Sequence, residues 1–193
     1  MRSRRKKMSK KVVLLGDSIR LIGYGKKVEE MLKPDCEVWQ PEDNCRFAKY
    51  TLRLIFDFQD QIKGADVIHW NNGLWDVCDI LGDGPFSPLD EYMNNMLRIA
   101  DILQKWGKTV IFATTTPTHP DYEYGAYERT KEYNEKLTAE LKKRGIRIND
   151  LFSVMDGHRL DGICEDQIHL NEKGIDLCAE QVVREIRNVL DGE

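Results

Sequence analysis

Val12-Val13-Leu14-Leu15-Gly16-Asp17-Ser18 is the stretch from which the rest of the chain can be read. Four apolar residues in an unbroken run, two of them β-branched, suit a strand buried on both faces. Such a strand implies a parallel sheet with helices above and below it. Gly16 ends the run, so Asp17 and Ser18 fall at the carboxyl end of the strand. Parallel α/β sheets build their ligand sites at that end. A serine there, at the start of a helix, sits among backbone N–H groups that can stabilise a developing oxyanion. The same serine can equally well cap the helix.

Outward from this stretch, strand-like and helix-like segments alternate. Glu37–Trp39, Asp66–Trp70, Thr109–Thr114 and Ile146–Asn149 are the further strand candidates. Between them, apolar residues recur at helical spacing. Phe47–Ile62 carries Leu52, Ile55, Phe56 and Gln59 on one stripe, and Leu89–Trp106 carries Met93, Met96, Leu97, Ala100 and Leu103. Ala126–Arg144 carries Tyr133, Leu137 and Leu141, and Asn171–Leu190 carries Ile175, Cys178, Val182 and Ile186. Asn171 suits an N-cap, and Gly107 and Gly145 suit helix ends. Five strands alternating with helices give a three-layer α/β/α sandwich around a five-stranded parallel sheet. The chain divides into a basic arm, residues 1–11, and a single domain, residues 12–193.

Composition narrows the classes. The 193 residues are 41% hydrophobic and 32% charged, with 29 Lys plus Arg against 33 Asp plus Glu. That is ordinary for a globular chain and too apolar for a disordered one. No apolar run approaches the ~20 residues of a membrane span. The arm holds seven of the basic residues and no acid, which leaves the domain at −11. An acidic body argues against a nucleic-acid face, and the arm reads as a solvated tail. Only four apolar residues follow it, too few for a signal peptide, so the expected location is the cytoplasm. Five cysteines without a CxxC pair fit free thiols, and no Cys/His spacing suggests a metal site.

Near the far end the chain reads Asp166-Gln167-Ile168-His169-Leu170-Asn171, just before the last helix. A serine hydroxyl is a poor nucleophile until a base removes its proton, and histidine does that near neutral pH. A carboxylate must in turn fix the tautomer of the histidine. Asp166 and His169, three residues apart, can supply both from one loop. Taken alone, they read as an ordinary turn with a satisfied surface histidine. The first strand is central in this architecture, so its exit loop and the last loop can converge.

Gly-Asp-Ser at the first strand end, with Asp-x-x-His before the final helix, resembles the SGNH (GDSL-type) hydrolase superfamily. The resemblance runs from about Val12 to Leu190 and includes Thr115-Thr116-Pro117, Tyr133-Asn134 and Asn149-Asp150-Leu151 in the expected order. It implies a flavodoxin-like strand order 2-1-3-4-5. It also implies ester hydrolysis through an acyl-serine, with no metal or cofactor. By position, Ser18 would be the nucleophile, His169 the general base and acid, and Asp166 the orienting carboxylate.

Two blocks depart from the family. The second-block glycine, an oxyanion donor, is missing from Pro41-Glu42-Asp43-Asn44-Cys45-Arg46. The third block, Gly-x-Asn-Asp, reads Gly73-Leu74-Trp75-Asp76, as in a divergent branch with Asn-x-Gly-x-x-Asp. Asn44, Asn72, Gly73 and Trp75 are therefore the candidates for the oxyanion hole and substrate contacts, with backbone N–H groups of Asn44 and Cys45 as options. Arg46 can bind an anionic substrate group or pair with Glu42 or Asp43. Trp70 and His69, in a strand, read as core. Tyr122, Tyr124 and Tyr127 can form a lid, and His119 can line the pocket. The expected partner is a small ester or acylated carbohydrate, not a nucleic acid or membrane. The alternatives are a non-hydrolytic glycan- or acyl-binding domain, an acyltransferase using the same serine, and a flavodoxin-like nucleotide or flavin binder. The last lacks a G-x-G-x-x-G or P-loop pattern.

Overall fold

The computed structural model describes residues 9–124 and 127–192. Its centre is a five-stranded parallel sheet in the order β2-β1-β3-β4-β5. The strands are β1 (Lys10–Leu15), β2 (Cys36–Trp39), β3 (Val67–Asn71), β4 (Thr109–Ala113) and β5 (Arg147–Asn149). This is the expected fold and strand order. β1 starts two residues before the apolar run, so Lys10 and Lys11 belong to the sheet and not to the arm. Of the rest of the basic arm, residues 1–8 lie outside the described residues.

Successive side chains of β1 point to opposite faces, which divides the core in two. Val12 and Leu14 face one layer, formed by α1 (Gly25–Leu32), α7 (Leu151–Asp156) and α8 (Glu172–Asp191). Val13 and Leu15 face the other, formed by α2 (Ala48–Asp57), α5 (Leu89–Trp106) and α6 (Tyr127–Lys143). Trp70, fully buried as expected, lies opposite Leu15 and Phe112 in register and packs edge-on against Phe112. His69 is also a core residue, hydrogen-bonded through Nε2 to Asn149 at 3.0 Å. Burial pushes its pKa down to about 3.

The helix over 47–62 is interrupted at Phe58, which separates α2 from the short α3 (Gln59–Ile62). The buried face of α2 is Ala48, Thr51, Leu54 and Ile55, whereas Phe56, expected on the stripe, is exposed. Gly107 ends α5 with extended backbone, and only Gly145 takes the left-handed φ, +72°. Among the described residues no helix is long and apolar enough to cross a membrane. All five cysteines are free.

Candidate active site

The Gly16–Ser18 turn is fixed from below. A Cβ on Gly16 would lie 2.0 Å from Oδ1 of Asn71, so only glycine fits. Asn71, at the end of β3, donates from Nδ2 to Asp17 Oδ1 at 2.9 Å and accepts from the Tyr24 hydroxyl at 2.7 Å. Asp17 Oδ1 also receives the N–H of Ile19 at 3.0 Å, at the start of an irregular helical segment, Ile19–Tyr24, that is kinked at Gly23. Burial raises the pKa of Asp17, opposed by those hydrogen bonds and by the charge of Arg20. Ser18 starts this helical segment but makes no side-chain cap. Its Oγ instead lies 2.9 Å from Nε2 of His169.

The loop carrying His169 is held by Asp166. One carboxylate oxygen accepts the N–H groups of Ile168 and His169 at 3.0 and 2.9 Å. The other lies 2.6 Å from His169 Nδ1. Partial burial pushes the Asp166 pKa up, but these three hydrogen bonds outweigh it and hold the carboxyl below its ordinary value. Asn171 caps α8 as expected, accepting from Gly174 N, and donates back to the carbonyls of Asp161 and Ile163. A further strap comes from His119, whose N–H donates to Gln167 O at 2.9 Å. Ser18, His169 and Asp166 thus form one hydrogen-bonded chain built from two loops.

The remaining candidates are arranged differently. The N–H of Cys45 donates to Gly16 O and is closed to substrate, and the Asn44 side chain turns back on its own loop, its Oδ1 accepting the Arg46 N–H. Asn72 is a brace: its Oδ1 accepts the Trp70 indole, and its Nδ2 donates to Arg46 O at 2.8 Å. Gly73 takes φ +143°, and a Cβ there would lie 2.2 Å from Thr115 Oγ1. Trp75, on the one-turn α4 (Leu74–Val77), is 41% exposed. Asp76 is buried and receives the Ala48 N–H at the start of α2. Tyr122 and Tyr124 pair with each other, whereas Tyr127 packs on Phe152 under Arg159, so the three tyrosines do not form one lid.

Arg20 is the residue that sequence reasoning missed. It is fully buried and donates to the carbonyls of Gly16, Pro41 and Asp43, at 3.0, 2.8 and 2.8 Å. It ties the β2 exit loop to the Gly16 turn. Its signal in the sequence is a lone cation inside Ile19-Arg20-Leu21-Ile22. Among the described residues no cluster of His, Cys, Asp or Glu is placed to hold a metal ion. A groove of about 740 Å³ runs along the β5 edge, lined by Tyr127, Asn134 and Phe152 among others, and contains none of the three chain members.

Solved structures share this fold over nearly the whole chain, some of them named as esterases or GDSL-like lipases. The acetyl xylan esterase AlAXEase matches with a TM-score of 0.77 at 19% identity, over 91% of this chain and 99% of its own. A GDSL-like lipase from Bacteroides thetaiotaomicron matches with 0.75 at 18%, over 93% and 88%. The acetylxylan esterase Axe2 from Geobacillus stearothermophilus matches with 0.74 at 17%, over 92% and 94%. Among curated proteins, the GDSL esterase/lipase WDL1 of Oryza sativa subsp. japonica is 27% identical over 157 residues. That alignment covers 73% of this chain, which spans only 60% of the length of that relative. No family model matches the chain.

Proposed function

We propose that this protein is a carboxylic ester hydrolase of the SGNH (GDSL) type, with Ser18 as nucleophile, His169 as general base and acid, and Asp166 as the orienting carboxylate. The observation that carries the reading is the continuous hydrogen-bonded chain, Asp166 Oδ2 to His169 Nδ1 at 2.6 Å and His169 Nε2 to Ser18 Oγ at 2.9 Å. With Nδ1–H donated to Asp166, Nε2 is left as an acceptor for the serine proton. Ser18 Oγ attacks the ester carbonyl carbon as its proton passes to Nε2. The tetrahedral intermediate collapses, the C–O bond to the alcohol breaks, and the imidazolium protonates the departing oxygen. Water, deprotonated by the same nitrogen, then releases the acid and restores Ser18. Asp166 stays ionised throughout, in keeping with its lowered pKa.

The developing oxyanion is assigned to the backbone N–H of Ser18, at the first helical turn where N–H groups lack intrahelical partners, together with the N–H of Gly73. Trp75, exposed beside Gly73, is assigned a substrate contact. The substrate class is a small acyl ester, of which an acetylated sugar is the leading case. Support for the sugar comes from the exposed Trp75 indole as a stacking face, and from two of the similar structures being acetyl xylan esterases.

The test is hydrolysis of 4-nitrophenyl acetate and labelling by a fluorophosphonate, wild type against Ser18→Ala. Turnover and labelling by wild type alone support the reading. Absence of both in folded wild type overturns it and leaves a non-hydrolytic binding domain.

A further inference from the structure

The exit loops of β1, β2 and β3 are laced together one residue at a time. Gly16 and Cys45 exchange two hydrogen bonds, Cys45 N to Gly16 O at 3.1 Å and Gly16 N to Cys45 Sγ at 3.2 Å. Asp17 and Asn71 are joined next, at 2.9 Å. The residues that follow these are Ser18, Arg46 and Asn72, and Asn72 Nδ2 holds Arg46 O at 2.8 Å. Arg46 therefore stands on the same rim as the serine.

Three features set Arg46 apart. Its backbone is left-handed, φ +48°, a conformation that glycine adopts freely and a residue with a Cβ does not. Outliers of this kind gather where a side chain is being presented for a purpose. The guanidinium is exposed and lies over the Tyr50 ring, 4.8 Å from its centroid, while the Tyr50 hydroxyl is anchored on Asp43 Oδ2 at 2.7 Å. The cation is thus pre-oriented without being neutralised: neither Glu42 nor Asp43 pairs with it, and no carboxylate does among the described residues. Other cations have partners of their own, Lys49 with Glu91, Arg129 with Asp79 and Arg159 with the Thr118 carbonyl. The adjacent start of α2 is already filled by the Asp76 carboxylate, so a ligand anion would find the guanidinium and not the helix end.

We propose that Arg46 is a specificity residue that anchors a carboxylate or phosphate on the substrate, so that the preferred ester is anionic. A guanidinium offers two parallel donors to such a group and keeps its charge at every working pH. The inference rests on the esterase reading of the same rim, and it deepens that reading by naming a charge class for the substrate. It places the anion on either the alcohol or the acyl side, which matched probes distinguish.

The experiment uses two matched pairs. On the alcohol side they are 4-acetoxybenzoate and its methyl ester; on the acyl side, mono-4-nitrophenyl glutarate and 4-nitrophenyl valerate. Wild type is expected to favour the anionic member of one pair in kcat/KM by roughly tenfold or more, the scale of a charge-assisted contact. In Arg46→Ala and Arg46→Gly that ratio is expected to fall toward unity. Arg46→Gly suits the left-handed backbone, so one variant retains the fold. The same probes are titrated calorimetrically into Ser18→Ala and into Ser18→Ala/Arg46→Gly, a readout that needs no turnover. Tighter binding of an anionic probe that is lost with Arg46 supports the proposal. Equal ratios in wild type and variants, or equal calorimetric affinities for both members of each pair, overturn it. Loss of turnover in wild type with the calorimetric difference intact overturns the esterase reading alone.

Discussion

His169 Nε2 and Ser18 Oγ lie 2.9 Å apart although 151 residues separate them. The sheet order makes this possible: β1 is interior, so its exit loop lies within reach of the segment that closes the domain before α8. In the proposed mechanism Asp166 selects the imidazole tautomer, with the proton on Nδ1. Replacing it by asparagine keeps an acceptor for the Ile168 and His169 N–H groups but removes the charge that favours Nδ1–H. Asp166→Asn is expected to lower kcat by about 10³- to 10⁴-fold with little change in KM. Steady-state kinetics on 4-nitrophenyl acetate check this, and a loss under tenfold would remove Asp166 from the role assigned to it.

Arg20 supports the same rim from beneath. Methionine at this position would leave the carbonyls of Pro41 and Asp43 without their donor and remove the buried cation near Asp17. A buried acceptor left without its donor costs about 1–3 kcal/mol. Arg20→Met is expected to lose about that much in urea denaturation, and to lower kcat/KM more than tenfold because the loop carrying Arg46 drifts. Wild-type stability in this variant would show that the loop is held by other contacts.

The sequence displayed the parts of this molecule that obey local rules. Val12–Leu15 could be read because a strand buried on both faces has no polar residue to hide, and the 89–106 helix because its apolar period runs unbroken. Ser18, Asp166 and His169 could be singled out because their residue types are those a nucleophile, a base and an orienting carboxylate would need, and the structure joins them in one hydrogen-bonded chain. What stayed hidden depends on contacts across the sheet. Phe58 breaks the helix that follows residue 47, and Phe56 turns outward, for reasons of packing that no window shows. Asn72 offers an amide in sequence, but the Trp70 indole and the Arg46 carbonyl consume it. Arg20 shows in the sequence only as a lone cation in an apolar run, and the carbonyls of Pro41 and Asp43 that it serves come from another loop.

Gly73 distinguishes a structural glycine from a tolerant one. At Gly64, with φ +76° and open space around it, alanine meets only the backbone penalty, about 1 kcal/mol. At Gly73, φ is +143° and the new methyl would meet Thr115 Oγ1 at 2.2 Å, with the Tyr92 hydroxyl at 3.1 Å. Both hydroxyls are bonded to Asn72 O and cannot move aside freely. Gly73→Ala is expected to cost at least about 2 kcal/mol more than Gly64→Ala in urea unfolding, and to abolish turnover while Gly64→Ala retains it. Equal costs would mean that the loop relaxes, and would weaken the assignment of the Gly73 N–H to the oxyanion.

Asp76 gives the site a pH signature in stability. Burial is the largest cause of its pKa rising from 3.8 to about 7, against the lowering effect of hydrogen bonds from Ser87 and Ala48. Between those two values the folded protein keeps a proton that the unfolded chain has released. The stabilisation is therefore complete below the lower value and is lost as pH rises through the upper one. The gap of about three units corresponds to ~4 kcal/mol. His69 works in the opposite sense, because its pKa is pushed down to about 3, so its contribution is lost as pH falls below 6.5. Comparing Asp76→Asn with wild type cancels His69, which is present in both. Asparagine still accepts the Ala48 N–H through its oxygen but does not titrate. Relative to wild type, the variant is expected to gain up to ~4 kcal/mol between acid and mildly alkaline pH, read as the shift in urea midpoints. A difference that stays flat across that range would mean that Asp76 is ionised throughout, with the start of α2 stabilising its charge.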